Sequence, residues 1–280
     1  SLNHCHMVDC LRHDHAGWQS DWEICDKIHH NNTGSLYGIE RQAGLMYDIS
    51  FNDVRASSIG ILPVRRPSVP APEPRFEEIT IPGRDGSLIS IDGVNGETVY
   101  NSITISVEFN FWAKPYRWAE VFRAAKKWIK GSGDLILGDD TSFFYKVLSC
   151  KISDSERTSL RIGTFTAEFL CDPYMYANDG QREMSIADVL YNPYALSKPT
   201  YVITGEGMCT LTVNGKSVTA NVGQNLTINT DLMLASRQDG TMMNTAITGD
   251  YEDLWLNSGE NSISITNGFS LSIIPNWRCL

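Results

Sequence analysis

From about residue 46 onward, apolar residues recur at every second position in many short runs. The clearest run is ITISVEFNF at 103–111, where every second residue is apolar and the residues between are Thr, Ser, Glu and Asn. A period of two is typical of a strand that buries one face. The pattern therefore predicts a mainly β protein.

One segment, KPYRWAEVFRAAKKWIKG at 114–131, breaks this rhythm. Its apolar residues are spaced by three and four positions, which is typical of a helix with one buried stripe. Pro115 suits the first turn of a helix and Gly131 suits its C-terminal end. We predict a single helix at about 115–130. Asp172-Pro173 is expected to end the last strand of this region.

Turn-forming residues divide the β-rich part of the chain into two domains. Residues 46–176 are predicted to form the first domain, and residues 199–280 form the second as short strands separated by Gly and Asn. The second pattern is typical of an antiparallel β-sandwich or jelly roll. Asn, Gly and Pro collect at 177–198, which we interpret as a linker.

The chain has 280 residues and a formal net charge of −10. This acidic balance argues against nucleic-acid recognition, which needs a basic face to neutralise phosphates. No apolar run approaches the ~20 residues that a membrane-spanning helix requires, and the first residues have no apolar signal-peptide region. We therefore expect neither nucleic-acid nor membrane partners.

The sequence offers little catalytic chemistry. No histidine follows His30, so the two predicted domains contain no Ser-His or Cys-His pair. Two carboxylate pairs, Asp139-Asp140 and Glu77-Glu78, lie at a turn and at a strand start, where acidic residues are common. We expect no catalytic residues, no cofactor and no enzyme activity.

Two short stretches are candidates for binding. In IPGRDGSL at 81–88, Gly83 and Gly86 can supply the backbone angles of a hairpin turn. In the second domain, Tyr251 and Trp255 are candidates for a glycan or partner surface. Packing within the β core is the favoured alternative for these two aromatic side chains.

Six stretches, taken in order, resemble the distal tail protein (Dit) of siphophages, in the version found in phages and prophages of Gram-positive bacteria. They are MYDISFNDV (46–54), IPGRDGSL (81–88), WAKPYRWAEVFRAAKKWIKGSGDLIL (112–137), CDPYMY (171–176), LMLASRQDGTMMNTAITGDYEDLWLNSGENSISI (232–265) and IIPNWRCL (273–280). Each is short, and their order and spacing carry the resemblance across about 46–280.

The resemblance implies a structural protein of the virion, made in the bacterial cytoplasm. Its fold would be an N-terminal β-sandwich-like domain with one helix, followed by a C-terminal galectin-like β-sandwich. Such proteins form a homohexameric ring at the tail tip or baseplate. Their partners would be the tail tube protein, a tail-associated lysin or fibre protein, and receptor-binding or baseplate proteins. Gly83, Arg84, Asp85 and Gly86 would lie at the contact between subunits.

Residues 1–45 are a leader without a counterpart in that family pattern. All six histidines and three of the seven cysteines lie there, and Cys10-x2-His13 and Cys25-x3-His29 have metal-ligand spacing. The ligands are in surplus and no C-x-x-C pair occurs, so we predict no metal site. We expect a poorly ordered or loosely attached leader, which is either a phage-specific extension or the result of a true start at Met46.

Two alternatives to the tail hub remain open at this point. The C-terminal sandwich could be a carbohydrate-binding module for host cell-wall glycans, acting through Tyr251 and Trp255. The leader could instead make the chain a metalloprotein. A closed ring distinguishes the hub from both, because neither alternative requires one.

Overall fold

The computed structural model describes residues 47–91, 97–186 and 188–280. The leader with its histidines, and Met46, lie outside these residues. The described chain is mostly β with one α-helix, and its strands pair in antiparallel fashion, so the predicted fold class is confirmed.

The elements up to residue 177 are eleven strands and the helix. They are β1 (Ile49–Phe51), β2 (Val54–Arg55), β3 (Ile61–Pro63), β4 (Pro74–Thr80), β5 (Ser87–Ile91), β6 (Val99–Tyr100), β7 (Ile103–Trp112), α1 (Trp118–Trp128), β8 (Gly133–Leu137), β9 (Asp140–Ile152), β10 (Glu156–Arg157) and β11 (Ile162–Ala177). Short 3-10 turns at Ala56–Ile59 and Asp179–Gln181 join some of the elements.

The remaining elements are nine strands. They are β12 (Met184–Ser185), β13 (Val189–Asn192), β14 (Thr200–Val213), β15 (Lys216–Asn229), β16 (Leu234–Ser236), β17 (Ile247–Thr248), β18 (Gly259–Ile265), β19 (Ser270–Ile274) and β20 (Arg278–Cys279). Two further 3-10 turns occur, at Asn244–Ala246 and Tyr251–Leu254.

The first sheet has the order β2-β1-β8-β9-β11-β7-β3, with β10 and β20 also paired to β11. In strand β7, which lies between β11 and β3, the buried and exposed residues alternate as the sequence predicts, from buried Ile103 to exposed Trp112. The inward side chains form an aromatic core in which the rings of Phe109 and Phe165 stack with centroids 5.2 Å apart. This core fixes the face of the sheet that the helix covers.

Helix α1 lies on this core and is shorter than the predicted range of 115–130. Its apolar stripe packs on the sheet through Trp118, Val121, Phe122, Ala125 and Trp128. The helix begins later because the backbone N–H of Arg117 donates to the carbonyl of Lys114, which closes a turn first. It ends near Gly131, whose φ of 84° lies in the left-handed region.

Strand β11 corrects one prediction, because it continues through Asp172-Pro173 to Ala177. The pairing of β11 with β9 jumps from Cys171–Val147 to Met175–Tyr145, which is a bulge of two extra residues on β11. Pro173 lies in this bulge, where its missing N–H breaks no ladder hydrogen bond. The bulge therefore accommodates the proline within the strand, and the strand does not end there.

The second sheet has the order β12-β19-β14-β15-β16, with β17 paired to β15 and β18 paired to both β13 and β14. Its buried centre includes Tyr201, Ile203, Leu211, Leu226 and Ile228. Two strands of this sheet, β12 and β13, come from the segment 177–198 that the sequence predicts as a linker. Ile186 and Leu190 of that segment pack against the second core.

The C-terminal strand β20 crosses back to the first sheet. Cys279 pairs with Met175 and Arg278 pairs with Tyr176, both on β11. The backbone N–H of Ala195 donates to the carbonyl of Arg278 at 3.1 Å, so the C-terminus also holds the segment before β14. The end of the chain thus joins the two parts of the fold.

Candidate assembly surface

Strands β4 and β5 form a hairpin that contains the predicted interface residues. Together with β6 they make a three-stranded sheet of their own, and residues 73–89 are exposed throughout. The base of the hairpin is held by the N–H of Asn101, which donates to the carbonyl of Glu73 at 2.8 Å. The rings of Tyr100 and Tyr174 add an edge contact at 6.2 Å.

The turn of the hairpin has the backbone that the two glycines predict. Gly83 has φ of 82° and Gly86 has φ of 74°, and a Cβ at either position would meet nothing within 4 Å. These positions therefore favour glycine because of their backbone angles, and not because a side chain would lack space. The N–H of Arg84 donates to the carbonyl of Ile81 at 3.2 Å, which closes the turn.

Arg84 and Asp85 point into solvent at this turn. Within the described ranges neither side chain makes a hydrogen bond or an ion pair. The turn needs no side-chain contact from them, since the glycines and the backbone hydrogen bond define it. The planar guanidinium of Arg84 and the carboxylate of Asp85 are both available for a partner.

The hairpin also exposes large apolar side chains on both faces. Phe76 is 50% exposed and Ile89 is 63% exposed, and Ile79, Ile81 and Leu88 are also exposed. Isolated two-stranded hairpins are marginally stable in water, and clustered exposed apolar groups mark binding surfaces. The turn was predicted from the sequence, but these exposed side chains were not, although the alternation of Ile79 and Ile81 in FEEITI already indicates an extended strand.

The two residues of the second candidate surface, Trp255 and Tyr251, differ in how far they are buried. Trp255 is only 9% exposed, and its indole N–H donates to the carbonyl of Thr230 at 3.4 Å. The ammonium of Lys198 lies 5.2 Å from the centre of its ring. These are the contacts of a packing residue, which is the favoured alternative for Trp255. Tyr251 is half-buried, with its hydroxyl 3.5 Å from Asn244.

A polar cluster lies where β9 and β11 meet the C-terminal strand. The ammonium of Lys146 lies 3.8 Å from the ring centre of Tyr176, whose hydroxyl donates to Asp172. Burial lowers the pKa of Lys146, and burial followed by the charge of Asp172 raises the pKa of Tyr176. Arg278 stacks on Tyr174 at 4.0 Å. The cluster is paired internally, which is typical of a structural junction.

The candidate carboxylates are dispersed. Asp139 is bound in an ion pair by Arg66, while Glu77 and Glu78 point to opposite faces of β4 as neighbours on a strand must. In the described part of the chain no three His, Cys, Asp or Glu side chains are grouped to hold a metal ion. The four cysteines found there are unpaired.

No helix within the described ranges has the length and apolar character needed to cross a membrane.

No protein-family model and no curated protein sequence matches the chain. A solved structure does. The crystal structure of SPP1 Dit (gp 19.1), described as a paradigm of the hub adsorption apparatus in Gram-positive infecting phages, aligns with a TM-score of 0.64 at 12% identity. The alignment covers 84% of this chain and 99% of the Dit chain.

The chain has the Dit fold. The resemblance predicted from the order of short motifs is thereby confirmed at the level of the backbone. At 12% identity most side chains differ between the two proteins. The likeness therefore establishes architecture, and the roles of individual residues must be argued from this chain.

Proposed function

We propose that this chain is a structural hub of a phage or prophage tail tip, and that it has no enzymatic role. The observation that supports this most is the fold, which matches SPP1 Dit over 99% of the Dit chain. That protein is described as part of a hub adsorption apparatus. An acidic chain whose candidate catalytic carboxylates are dispersed fits a scaffold better than a catalyst.

The proposed assembly is a homohexameric ring formed by the first domain. The β4–β5 hairpin supports it, because the hairpin is exposed on both faces, has large apolar side chains, and presents Arg84 and Asp85 unpaired. A head-to-tail contact repeated around an axis closes into a ring when the rotation suits the number of copies. Gly83 and Gly86 would fix the angle at which this arm reaches the next subunit.

The ring would join the tail tube protein on one side to adsorption components on the other. Those components would be a tail-associated lysin or fibre protein and receptor-binding or baseplate proteins, and the protein would reside in the virion. In this proposal the second sheet would face outward and offer the surface on which such parts dock. Its long β14–β15 pair, matched residue for residue from Thr200 to Val213, makes it a rigid platform.

The experiment is to locate the chain in intact particles. Gold-labelled antibodies raised against the purified protein are imaged on particles of the source phage, with anti-capsid antibodies as the control. We expect labels at the tail tip only. Particles that contain the chain at the capsid or lack it altogether would contradict a tail-tip hub.

A further inference from the structure

The dipeptide Asn-Gly occurs three times in the chain, at 95–96, 214–215 and 267–268. Asparagine is one of the thermolabile residues of proteins. Its side-chain amide can be attacked by the backbone nitrogen of the next residue, and glycine leaves that nitrogen unshielded because it has no side chain. The first dipeptide lies outside the described residues. The other two occupy exposed turns, so both are candidates for this reaction.

The turn at Asn214-Gly215 holds its asparagine in place. It joins β14 to β15, and its φ angles of 51° and 82° are those of a type I′ turn. The amide nitrogen Nδ2 of Asn214 donates to Oδ1 of Asn261 at 2.8 Å, and Oδ1 of Asn214 accepts from the backbone N–H of Ser262 at 3.0 Å. Asn261 is itself fully buried. The amide of Asn214 therefore cannot turn towards the nitrogen of Gly215 unless both hydrogen bonds break.

In the turn at Asn267-Gly268, which joins β18 to β19, both residues are exposed. Within the described ranges neither the amide of Asn267 nor the backbone N–H of Gly268 has a hydrogen-bond partner. Gly268 has φ of 92°, as the third residue of a type II turn requires. The N–H of Phe269 closes the turn by donating to the carbonyl of Thr266 at 3.4 Å, which is longer than usual. The amide of Asn267 can thus rotate at little cost.

The residues on either side of this turn are held in place. The N–H of Thr210 donates to Oγ1 of Thr266 at 2.9 Å, and the N–H of Thr266 donates to the carbonyl of Thr210 at 3.2 Å. Phe269 packs against the second core, and its ring lies so near Gly205 that a Cβ there would be 2.3 Å from it. A chemical change at Asn267 would therefore alter the turn and leave the sheet folded.

We propose that Asn267 is a site of spontaneous deamidation and that the fold protects Asn214 from the same reaction. The nitrogen of Gly268 attacks the side-chain carbon Cγ of Asn267, the new C–N bond closes a succinimide ring, and ammonia leaves with the proton that the nitrogen gives up. Water then opens the ring at either carbonyl, which leaves aspartate or isoaspartate. Either product adds a negative charge to the turn, and isoaspartate also lengthens the backbone. This inference holds whether or not the chain is a tail hub.

The test incubates the folded full-length protein in mildly alkaline water enriched in heavy oxygen, so that every carboxyl formed by ring opening carries the label. Trypsin separates the two sites, because it spares the Lys198-Pro199 bond and so puts Asn214 in the peptide 183–216 and Asn267 in the peptide 238–278. Fragment masses assign the position of each new carboxyl. We expect label at Asn267 to build up at least about tenfold faster than at Asn214, because hydrogen bonds hold both ends of the Asn214 amide.

The matched control is the same protein unfolded in guanidinium chloride, which removes both turns and keeps both dipeptides. There the two sites should react at similar rates, and unequal rates would contradict protection by the fold. Asn267→Gln should lose the label at that position and leave the reaction at Asn214 unchanged. If Asn214 reacts as fast as Asn267 in the folded chain, or if Asn267 reacts only after unfolding, the inference is wrong.

Discussion

The indole N–H of Trp128 donates a hydrogen bond to the backbone carbonyl of Phe51 at 3.1 Å. The two rings also meet edge to face, with centroids 6.3 Å apart. This pair connects the last turn of α1 to the first strand of the sheet, and Phe109 packs against the same indole at 6.0 Å. Trp128 therefore helps to fix both the position and the rotation of the helix on the sheet.

Trp128→Ala should lower the free energy of unfolding by about 3 kcal/mol, the lower end of the range for removing a packed aromatic ring, since Trp128 is half-buried. Trp128→Phe keeps part of the ring contact and should cost less. Urea unfolding followed by circular dichroism measures both. Tyr191→Ala, at an exposed position of β13, is the control and should change stability by less than about 1 kcal/mol.

Alkaline pH should destabilise the first domain. Burial raises the pKa of the Cys171 thiol to about 12 from 9.0, and that of the Tyr145 hydroxyl to about 12 from 10.0. Between about pH 9 and pH 12 the folded chain therefore holds protons that the unfolded chain has lost. The free energy of unfolding must then fall as pH rises through this window, and be fully retained below it.

Urea unfolding at a series of pH values tests this. Cys171→Val, which replaces the thiol by an apolar group of similar size, should make the fall above pH 9 shallower. An unchanged slope in this variant, or stability that rises with pH, would show that burial of the thiol is not the cause.

The second β domain should need part of the predicted linker. Residues 199–280 alone lack β12 and β13, which pair with β19 and β18, and lack Ile186 and Leu190 of the core. A fragment of 182–276 retains both strands and omits the end that pairs with β11. We expect cooperative urea unfolding for 182–276, and aggregation of 199–280 through its uncovered sheet edges. A monomeric, cooperative 199–280 fragment would show instead that 177–198 acts as a linker.

Arg84→Ala should weaken the ring and leave the subunit folded. Arg84 is exposed and makes no side-chain contact within the described ranges, so circular dichroism and the urea midpoint should not change. A charge-assisted hydrogen bond to the next subunit contributes about 1.5–3 kcal/mol, so its loss should reduce association by about tenfold or more. Arg182→Ala, another exposed arginine, is the control. If the ring is as stable in both Arg84→Ala and Asp85→Ala as in the wild type, these two side chains make no subunit contact and the segment is only a hairpin turn.

The sequence predicted those elements whose signal is local. The alternation from Ile103 to Phe111 and the stripe from Trp118 to Trp128 each bury one face, and each pattern is complete within a dozen residues. The prediction that Asp172-Pro173 ends this strand was wrong. The bulge that accommodates the proline depends on the register of β11 with β9, and the local sequence does not show that register.

Long-range contacts left no local signal. Strand β20 has two residues and no period, and its partner Met175 lies about a hundred positions earlier in the chain. The packing of Trp255 could not be predicted for the same reason. Lys198, which lies over its ring, is far from Trp255 in the sequence. The turn glycines of the hairpin were predictable, because an I-P-G-R-D-G run specifies left-handed backbone without help from the rest of the fold.

The most direct test of the account is the mass of the assembled chain. Light scattering of the purified full-length protein, with negative-stain images of the same sample, should show a closed ring with six times the 31.3 kDa mass of one chain. A single-chain mass at every concentration, with no ring in the images, would contradict the proposed hub assembly.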